Sequence, residues 1–218
     1  MDKQLLFLIN REWTHPALDW LMTLLSSWGF WTPIVVVLLL LLAIRGGFRV
    51  RAFLICAGLT VAVTDGLVCK NLKRLADRPR PHQAVEGVRQ LDLAKATPRF
   101  LALGKPLKSK LSKAPTPGEE IDGRSLPSSH TANTAAVALV ACFFFGRRAL
   151  WAFLIPALVG YSRIYTGSHW PSDVLISLPL GLLVGWAVLA GLAKLWQKRG
   201  GKWLPRVHAS HPQLFAAA

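Results

Sequence analysis

Acidic residues and cysteines are scarce in this chain of 218 residues, which has 11 Asp and Glu side chains against 26 Lys and Arg. Its three cysteines, Cys56, Cys69 and Cys142, lie inside apolar runs without metal-ligand spacing, so we expect packing residues and no disulfide. Residues 1–10 lack a long apolar core and a small-residue cleavage site, so no cleaved signal peptide is expected. Internal repeats and low-complexity tracts are absent, and the length corresponds to one domain.

Apolar residues, in contrast, make up 52% of the chain and fall in long runs. The mean hydropathy of +0.37 is too high for an ordinary soluble domain. The net charge of +15 is compatible with nucleic acid or with an anionic membrane surface as partner. Nine Trp residues and the apolar runs favour the membrane, so we expect no nucleic-acid partner.

Several segments have the composition of complete or nearly complete membrane spans. They are residues 31–44, 52–69, 131–145, 150–165 and 174–196. Gly181 and Gly185 in the last segment have the spacing that lets helices approach closely. Residues 1–28 mix apolar and polar side chains and fit either an interfacial helix or a partial further span. The predicted fold is all-α, a polytopic transmembrane helical bundle of five to six spans within a single domain, 1–200.

A long polar segment, residues 70–125, separates the second and third clear spans, and its length indicates either a functional loop or a mobile one. If the spans alternate, the short basic connections at 45–51 and 147–148 share one side with the tail 201–218. Short basic loops stay in the cytoplasm, whereas long loops translocate largely regardless of charge. The segment 70–125 and the polar clusters described next are therefore predicted to face outward.

The first polar cluster follows the second apolar run. Lys73 lies just past the run, and Arg80 stands between Pro79 and Pro81, which stop the helix and restrict the backbone that presents Arg80. Lys binds phosphate as a point charge and Arg with a two-pronged fork. Taken alone, the cluster also fits a basic anchor to lipid headgroups.

The second cluster, Pro127-Ser128-Ser129-His130, opens the third apolar run. Ser before a helix is a typical N-cap, and the free N–H groups of a helix N-terminus form an anion site that His130 can reach. The alternative is a capped helix with an incidental histidine.

The third cluster has Arg163 at the end of one span and His169 and Asp173 at the start of the next. Asp173 can accept a hydrogen bond from the His169 ring, which would fix the tautomer and leave the other nitrogen as nucleophile or base. A helix-capping Asp173 with an interfacial His169 is the alternative. Asp65, two helical turns before Lys73, either orients a cation of the site or pairs within the bundle.

In this order, the clusters resemble the type 2 phosphatidic acid phosphatase superfamily, which comprises integral membrane lipid phosphatases and related vanadium haloperoxidases. The match consists of Lys73 with Arg80-Pro81, then Pro127-Ser128-Ser129-His130, then Ser162-Arg163 with His169 and Asp173. The resemblance covers residues 50–197. Ser129 stands where the family more usually has Gly, but it keeps its backbone N–H, so we expect the anion site to persist.

The resemblance implies a role for each matched residue. His169 would be the nucleophile that forms a phosphohistidine, Asp173 its orienting partner, and His130 the general acid. The phosphoryl oxygens would be held by a cradle made of Lys73, Arg80, Ser128, Ser129 and Arg163. Fixed cations can supply the charge stabilisation that metals supply elsewhere, and the sequence has no carboxylate cluster suited to Mg²⁺, so we predict neither metal nor cofactor.

The leading functional hypothesis is a bacterial inner-membrane phosphatase that acts on a lipid phosphate or diphosphate at the outer leaflet. Undecaprenyl diphosphate is the first candidate substrate, with phosphatidylglycerophosphate, phosphatidate and lipid A 1-phosphate as further candidates. A phosphotransferase to a lipid acceptor and a non-enzymatic lipid-binding protein are the alternatives, whereas the membrane spans disfavour a haloperoxidase. Membrane lipids are the expected partners, without an obligatory protein partner, and residues 89–113 fit either a headgroup-attracting loop or a solvated linker.

Overall fold

The computed structural model describes residues 1–115 and 123–215, so parts of the predicted loop (116–122) and tail (216–218) lie outside the described residues. About 75% of the described residues are helical. The α-helices are α1 (Asp2–Phe7), α2 (Pro16–Ser26), α3 (Trp28–Arg45), α4 (Phe48–Val61), α5 (Lys70–Ala76), α6 (Pro81–Ala84), α7 (Ser129–Phe145), α8 (Leu154–Tyr165), α9 (Pro171–Trp203) and α10 (Pro205–Ser210). The other elements are π-helical turns at Leu8–Glu12 and Ala62–Cys69, 3-10 turns at Arg99–Gly104 and Gly146–Phe153, and strands β1 (Arg89–Asp92) and β2 (Lys108–Leu111).

Within the described part of the chain, 4 segments are long and apolar enough to cross a membrane. They are Trp28–Arg45, Phe48–Ala84, Ser129–Tyr165 and Pro171–Trp203. The segment Ser129–Tyr165 contains both α7 and α8, which pack against each other on either side of the left-handed Gly146. The predicted transmembrane helical fold is confirmed, while the number of crossings stays a prediction.

Small residues bring α7 and α9 together at the centre of the bundle. A Cβ atom on Gly181 would overlap the backbone of Ala132, and one on Gly185 would lie 3.2 Å from the Cα atom of Ala136. Dispersion contacts between closely spaced backbones stabilise helix pairs in lipid, where the hydrophobic effect does not. The predicted close approach at Gly181 and Gly185 is confirmed.

The N-terminal helices pack against the end of the bundle that carries the polar clusters. Leu6, Ile9 and Met22 join Tyr165 and Trp170 in one buried cluster. Helix α2 has 11 residues, which corresponds to about 16 Å, roughly half of the hydrocarbon thickness. Its placement in the membrane, interfacial or partly spanning, stays a prediction.

The segment 70–125 has more structure than the sequence indicated. Strands β1 and β2 pair antiparallel, with Arg89 opposite Leu111 and Asp92 opposite Lys108. Asn10 holds the hairpin from outside: its Nδ2 donates to the Arg89 carbonyl at 2.9 Å, and its Oδ1 accepts the Arg89 N–H at 2.8 Å. The segment predicted as a long polar loop thus contains a short hairpin, whose strands depend on partners distant in the sequence.

The opposite end of the bundle carries the C-terminal residues. Phe48 stacks on His211 at a centroid distance of 4.1 Å, and Phe144 contacts Phe215 at 5.5 Å. Exposed basic side chains share this end: Arg45, Arg49, Arg147 and Arg148. The tail thus lies with the short basic connections and away from the polar clusters; the side of the membrane stays a prediction.

Candidate active site

All three polar clusters converge at one end of the bundle. Lys73 lies in the last turn of α5 and His130 in the first turn of α7, while Arg163 ends α8 and Asp173 begins α9. His130 lies within electrostatic range of Arg163, His169 and Lys73. Arg80 lies within the same range of Lys73, Arg163 and His169. Residues that are up to about a hundred positions apart in the chain therefore form one cationic site with two histidines.

His169 lies in the turn between α8 and α9 and is only 2% exposed. Its backbone N–H and that of Ser168 both donate to the Arg163 carbonyl, at 3.2 and 3.0 Å, which fixes the histidine to the end of α8. Gly167, at φ +70°, allows the turn, and a Cβ there would collide with the carbonyl oxygen of Arg89. Burial lowers the pKa of His169 to about 4, so its imidazole is neutral and nucleophilic at pH 7.

The predicted pairing of His169 with Asp173 is close but not a direct hydrogen bond. His169 Nδ1 lies 3.7 Å from Asp173 Oδ2, beyond ordinary hydrogen-bond distance. This Nδ1 is buried and has no hydrogen-bond partner among the described residues. Asp173 Oδ2 already accepts hydrogen bonds from the Ser125 hydroxyl and, at 2.9 Å, from the Trp170 N–H. The orienting role of Asp173 therefore stays a prediction.

Arg78 is a site residue that sequence reasoning missed. Its Nη1 donates to Asp173 Oδ1 at 2.6 Å and to Ser172 Oγ at 2.7 Å, and its Nη2 donates to Asp2 Oδ2 at 2.6 Å. Asp173 is fully buried, so Arg78 is the cation that compensates its charge. One feature of the sequence could have indicated Arg78 as a site residue. It precedes Pro79, so its backbone is restricted in the same way as that of Arg80.

The predicted phosphate-binding cations have different partners. Lys73 Nζ donates to Ser129 Oγ at 2.7 Å, which joins the first and second clusters. Arg163 Nη1 donates to the hydroxyl and the carbonyl oxygen of Ser26. Its Nε is buried without a partner in the described part of the chain, so this guanidinium retains a donor for an anion. Arg80 is the N-cap residue of α6, and Gln83 accepts its backbone N–H at 3.0 Å.

Ser128 is the N-cap residue of α7, as predicted, but it contacts protein groups rather than an open anion site. Its N–H donates to Ser177 Oγ at 2.8 Å, and its hydroxyl lies 3.0 Å from that of Thr131. Ser128 thereby holds the start of α7 against α9. Phosphate binding by Ser128 and Ser129 stays a prediction.

Asp65 lies in the π-helical turn Ala62–Cys69, within electrostatic range of Lys73 and His130. Its predicted role in orienting a cation remains a prediction. Across residues 1–115 and 123–215, His, Cys, Asp and Glu form no group of three that could hold a metal ion. Metal-independent catalysis stays a prediction.

Comparisons with known proteins identify the same family that the three clusters resemble. The sequence model of the PAP2 superfamily matches residues 51–197. The undecaprenyl-diphosphatase BcrC of Bacillus subtilis is 40% identical over 62 residues, which cover 28% of this chain and 32% of that protein. The lipid A 1-phosphatase of Porphyromonas gingivalis is 38% identical over 65 residues, covering 28% of this chain and 15% of that protein. The matched regions thus span a third or less of these two relatives.

Longer similarities extend over most of the chain. The lipid A 4'-phosphatase of Bacteroides thetaiotaomicron is 24% identical over 193 residues, 85% of this chain and 74% of that protein. The crystal structure of Aquifex aeolicus LpxE superposes with a TM-score of 0.58 at 25% identity, covering 87% of this chain and 94% of that one. A transmembrane PAP2-type phosphatidylglycerolphosphate phosphatase from Bacillus subtilis shares the fold, with a TM-score of 0.53 at 24% identity over 88% and 87% of the two chains.

The matched region 51–197 runs from α4 to α9 and contains every residue of the three clusters. The resemblance predicted from those clusters is therefore confirmed, and the chain belongs to the PAP2 superfamily.

Proposed function

We propose that the protein is a phosphoric ester hydrolase that cleaves the phosphate or diphosphate of a membrane lipid through a phosphohistidine on His169. The observation that carries this proposal is the environment of the buried His169. Its Nδ1 lies 3.7 Å from a buried carboxylate, and the ring lies within electrostatic range of Arg80 and Arg163. The family and the names of the relatives support the same class of enzyme.

The first chemical step is an in-line displacement at phosphorus. Because Nδ1 faces Asp173, Nε2 of His169 attacks, so that an N–P bond forms while the P–O bond to the leaving group breaks. His130 donates a proton to the leaving oxygen. The cations Lys73, Arg80 and Arg163 stabilise the negative charge on the phosphoryl oxygens, and Asp173 stabilises the imidazolium that develops on His169.

The second step regenerates the enzyme. Water attacks the phosphorus of the phosphohistidine, His130 accepts a proton from that water, and the N–P bond breaks to release inorganic phosphate. A phosphotransferase would share the first step and replace water by a lipid hydroxyl. No contact among the described residues favours that alternative, so hydrolysis remains the proposal.

Undecaprenyl diphosphate is the first candidate substrate, and the local similarity to an undecaprenyl-diphosphatase supports it. Lipid A phosphates are supported by two other relatives. Phosphatidylglycerophosphate is retained as a further candidate. The proposed location is a bacterial inner membrane with the active-site end facing the periplasm or exterior, because the short basic connections and the tail lie at the other end.

The test is phosphate release by the purified protein from a panel of these lipids, with and without excess chelator. Wild type should release phosphate under both conditions, and rapid acid-free quenching with ³²P-labelled substrate should trap a base-stable, acid-labile phosphohistidine. His169→Ala should lower turnover by about a thousandfold or more and abolish the trapped label. The matched control is His211→Ala, which changes an exposed histidine at the opposite end of the bundle.

Three results would contradict parts of the proposal. Full phosphate release by His169→Ala would exclude the phosphohistidine route. Loss of activity in chelator that added metal restores would exclude metal independence. Binding of labelled lipid without any release, unchanged by His169→Ala, would identify a lipid-binding protein instead of an enzyme.

A further inference from the structure

The 3-10 turn Arg99–Gly104, at the tip of the β1–β2 hairpin, exposes an unusual amount of apolar surface. Phe100, Leu101 and Leu103 are 52%, 52% and 49% exposed. Ala102, between them, is fully buried and fixes the turn to the protein. Three large apolar side chains thus project from a short turn inside an otherwise polar segment. Such exposed apolar surface indicates an interaction site rather than a solvated linker.

The turn lies beside the start of α3. These two elements are in contact, and the Arg99 side chain lies 3.8 Å from the position that a Cβ on Gly29 would take. The apolar window of α3 is 0% buried by protein, which is the exposure expected of a helix that faces lipid. Trp28 and Trp31 lie in its first turn, and Trp is typical of the level where a span enters the headgroup region. The position of α3 therefore puts the 3-10 turn at the membrane–water boundary.

Basic side chains flank the apolar ones in the sequence. Exposed lysines flank the turn on both sides: Lys95, Lys105, Lys108 and Lys110. The acidic side chain of Asp92, before the turn, accepts a hydrogen bond from Arg99 Nη2 at 3.1 Å. An apolar turn flanked by lysines complements a bilayer surface with anionic headgroups, because the apolar side chains can enter the acyl boundary while the lysines pair with phosphates.

We propose that the turn Arg99–Gly104 is an interfacial anchor that inserts into the leaflet at the active-site end of the protein. Its occupant is the lipid surface, chosen over a protein partner because the turn continues the lipid-facing side of α3. The hairpin links this anchor to the catalytic turn, since the Arg89 carbonyl of β1 packs against Gly167, two residues before His169. Membrane insertion of this turn does not depend on the proposed chemistry.

The test measures depth in the membrane rather than activity. A single cysteine replaces Phe100 in a Cys142→Ser background, where the native Cys56 and Cys69 are buried at 3% and 0% exposure. The protein carries an environment-sensitive fluorophore at this cysteine, in nanodiscs of anionic phospholipid with nitroxide quenchers at shallow or deep acyl positions. Lys113→Cys, at the exposed end of the segment after β2, provides the matched comparison.

We expect the shallow lipid quencher to reduce the fluorescence at position 100 by about twofold or more relative to position 113, with little effect of aqueous iodide. Replacing Leu101 and Leu103 by Ser should reverse this pattern at position 100. Quenching of position 100 by iodide and not by lipid would overturn the proposal. Shielding from both quenchers would overturn it as well, because the turn would then be covered by protein, either a second copy or a partner.

The outcome is independent of the phosphatase assay. If the protein lacks phosphatase activity but its position 100 is quenched by lipid, the anchor is supported and the catalytic proposal is contradicted. If the protein is active but its position 100 is quenched by iodide, the catalytic proposal is supported and the anchor is contradicted.

Discussion

The carboxylate of Asp173 binds more partners than a simple histidine-orienting role requires. It is fully buried and accepts hydrogen bonds from Arg78, the Ser125 hydroxyl and the Trp170 N–H, while His169 lies 3.7 Å away. A buried carboxylate needs such compensation because removal from water disfavours its charge. The position of Asp173, and through it that of His169, therefore depends on residues outside the three motifs.

Arg78→Ala should lower kcat with little change in KM, because Arg78 positions Asp173 rather than binding phosphate. A charge-assisted hydrogen bond contributes about 1.5–3 kcal/mol, which corresponds to a loss of roughly 10- to 100-fold. Arg78→Lys should retain part of the activity, since Lys keeps the charge but loses the two-pronged geometry. Phosphate-release kinetics on one lipid substrate measure both parameters.

The matched control is Arg74→Ala, which removes an exposed arginine from α5 nearby. Its kinetics should resemble those of wild type. A rise in KM at constant kcat for Arg78→Ala would contradict the positioning role and would place Arg78 on the substrate.

The difference between predicted and missed site residues has a physical basis. Lys73, Arg80, His130, Arg163 and His169 could be selected from the sequence because phosphoryl transfer requires their side-chain chemistry. Asp2 and Ser125 could not, because their role lies in contacts to Ser172 and Asp173 that bridge 170 and 48 positions of the chain. Only the folded chain brings those partners together.

At the level of elements, the pairing of α7 with α9 fixes the distance between the second and third clusters. His130 begins α7 and Asp173 begins α9, so any separation of the two helices moves both ends of the site. The close approach rests on Gly181 and Gly185 facing Ala132 and Ala136.

Gly181→Ala should destabilise the protein, because the added Cβ would overlap the Ala132 carbonyl group. Overpacking of this kind costs about 1–3 kcal/mol, so the unfolding temperature in detergent should fall and activity should fall with it. Gly191→Ala on the same helix is the control, since a Cβ there meets nothing within 4 Å. Equal stability of the two variants would contradict the proposed importance of this contact.

The membrane helices, which the sequence predicted, and the β1–β2 hairpin, which it did not, are stabilised by different interactions. Long apolar runs predicted the membrane helices because their length and composition are sufficient signals. The β1–β2 hairpin gave no such signal, since Arg89–Asp92 reads as polar and lacks a clear alternation. It is held by Asn10 and by Asp19, whose two carboxylate oxygens accept hydrogen bonds from Arg89 Nη2 at 2.8 and 2.7 Å.

The whole molecule has two chemically distinct ends. One end carries the cationic candidate site with His130 and His169, and the other carries the short basic connections and the tail. Both ends are basic, so the proposed orientation depends on the length of the loops rather than on the sign of their charge.

Cysteine labelling in intact cells tests the proposed orientation. In a Cys142→Ser background, Lys113→Cys should react with a membrane-impermeant maleimide once the outer barrier is permeabilised. Arg147→Cys should react only after the inner membrane is opened, because short basic loops remain in the cytoplasm. The reverse pattern would place the active-site end inside and would exclude action at the outer leaflet.

The sequence by itself determined the membrane class, the family and the residue types of the three clusters, because span composition and side-chain chemistry are properties of short segments. The tertiary structure decided what lies around those residues: Arg78 as the cation that compensates Asp173, Asn10 and Asp19 as supports of the hairpin, and the apolar turn beside α3. These features depend on contacts between distant segments, and such contacts exist only once the helices have packed.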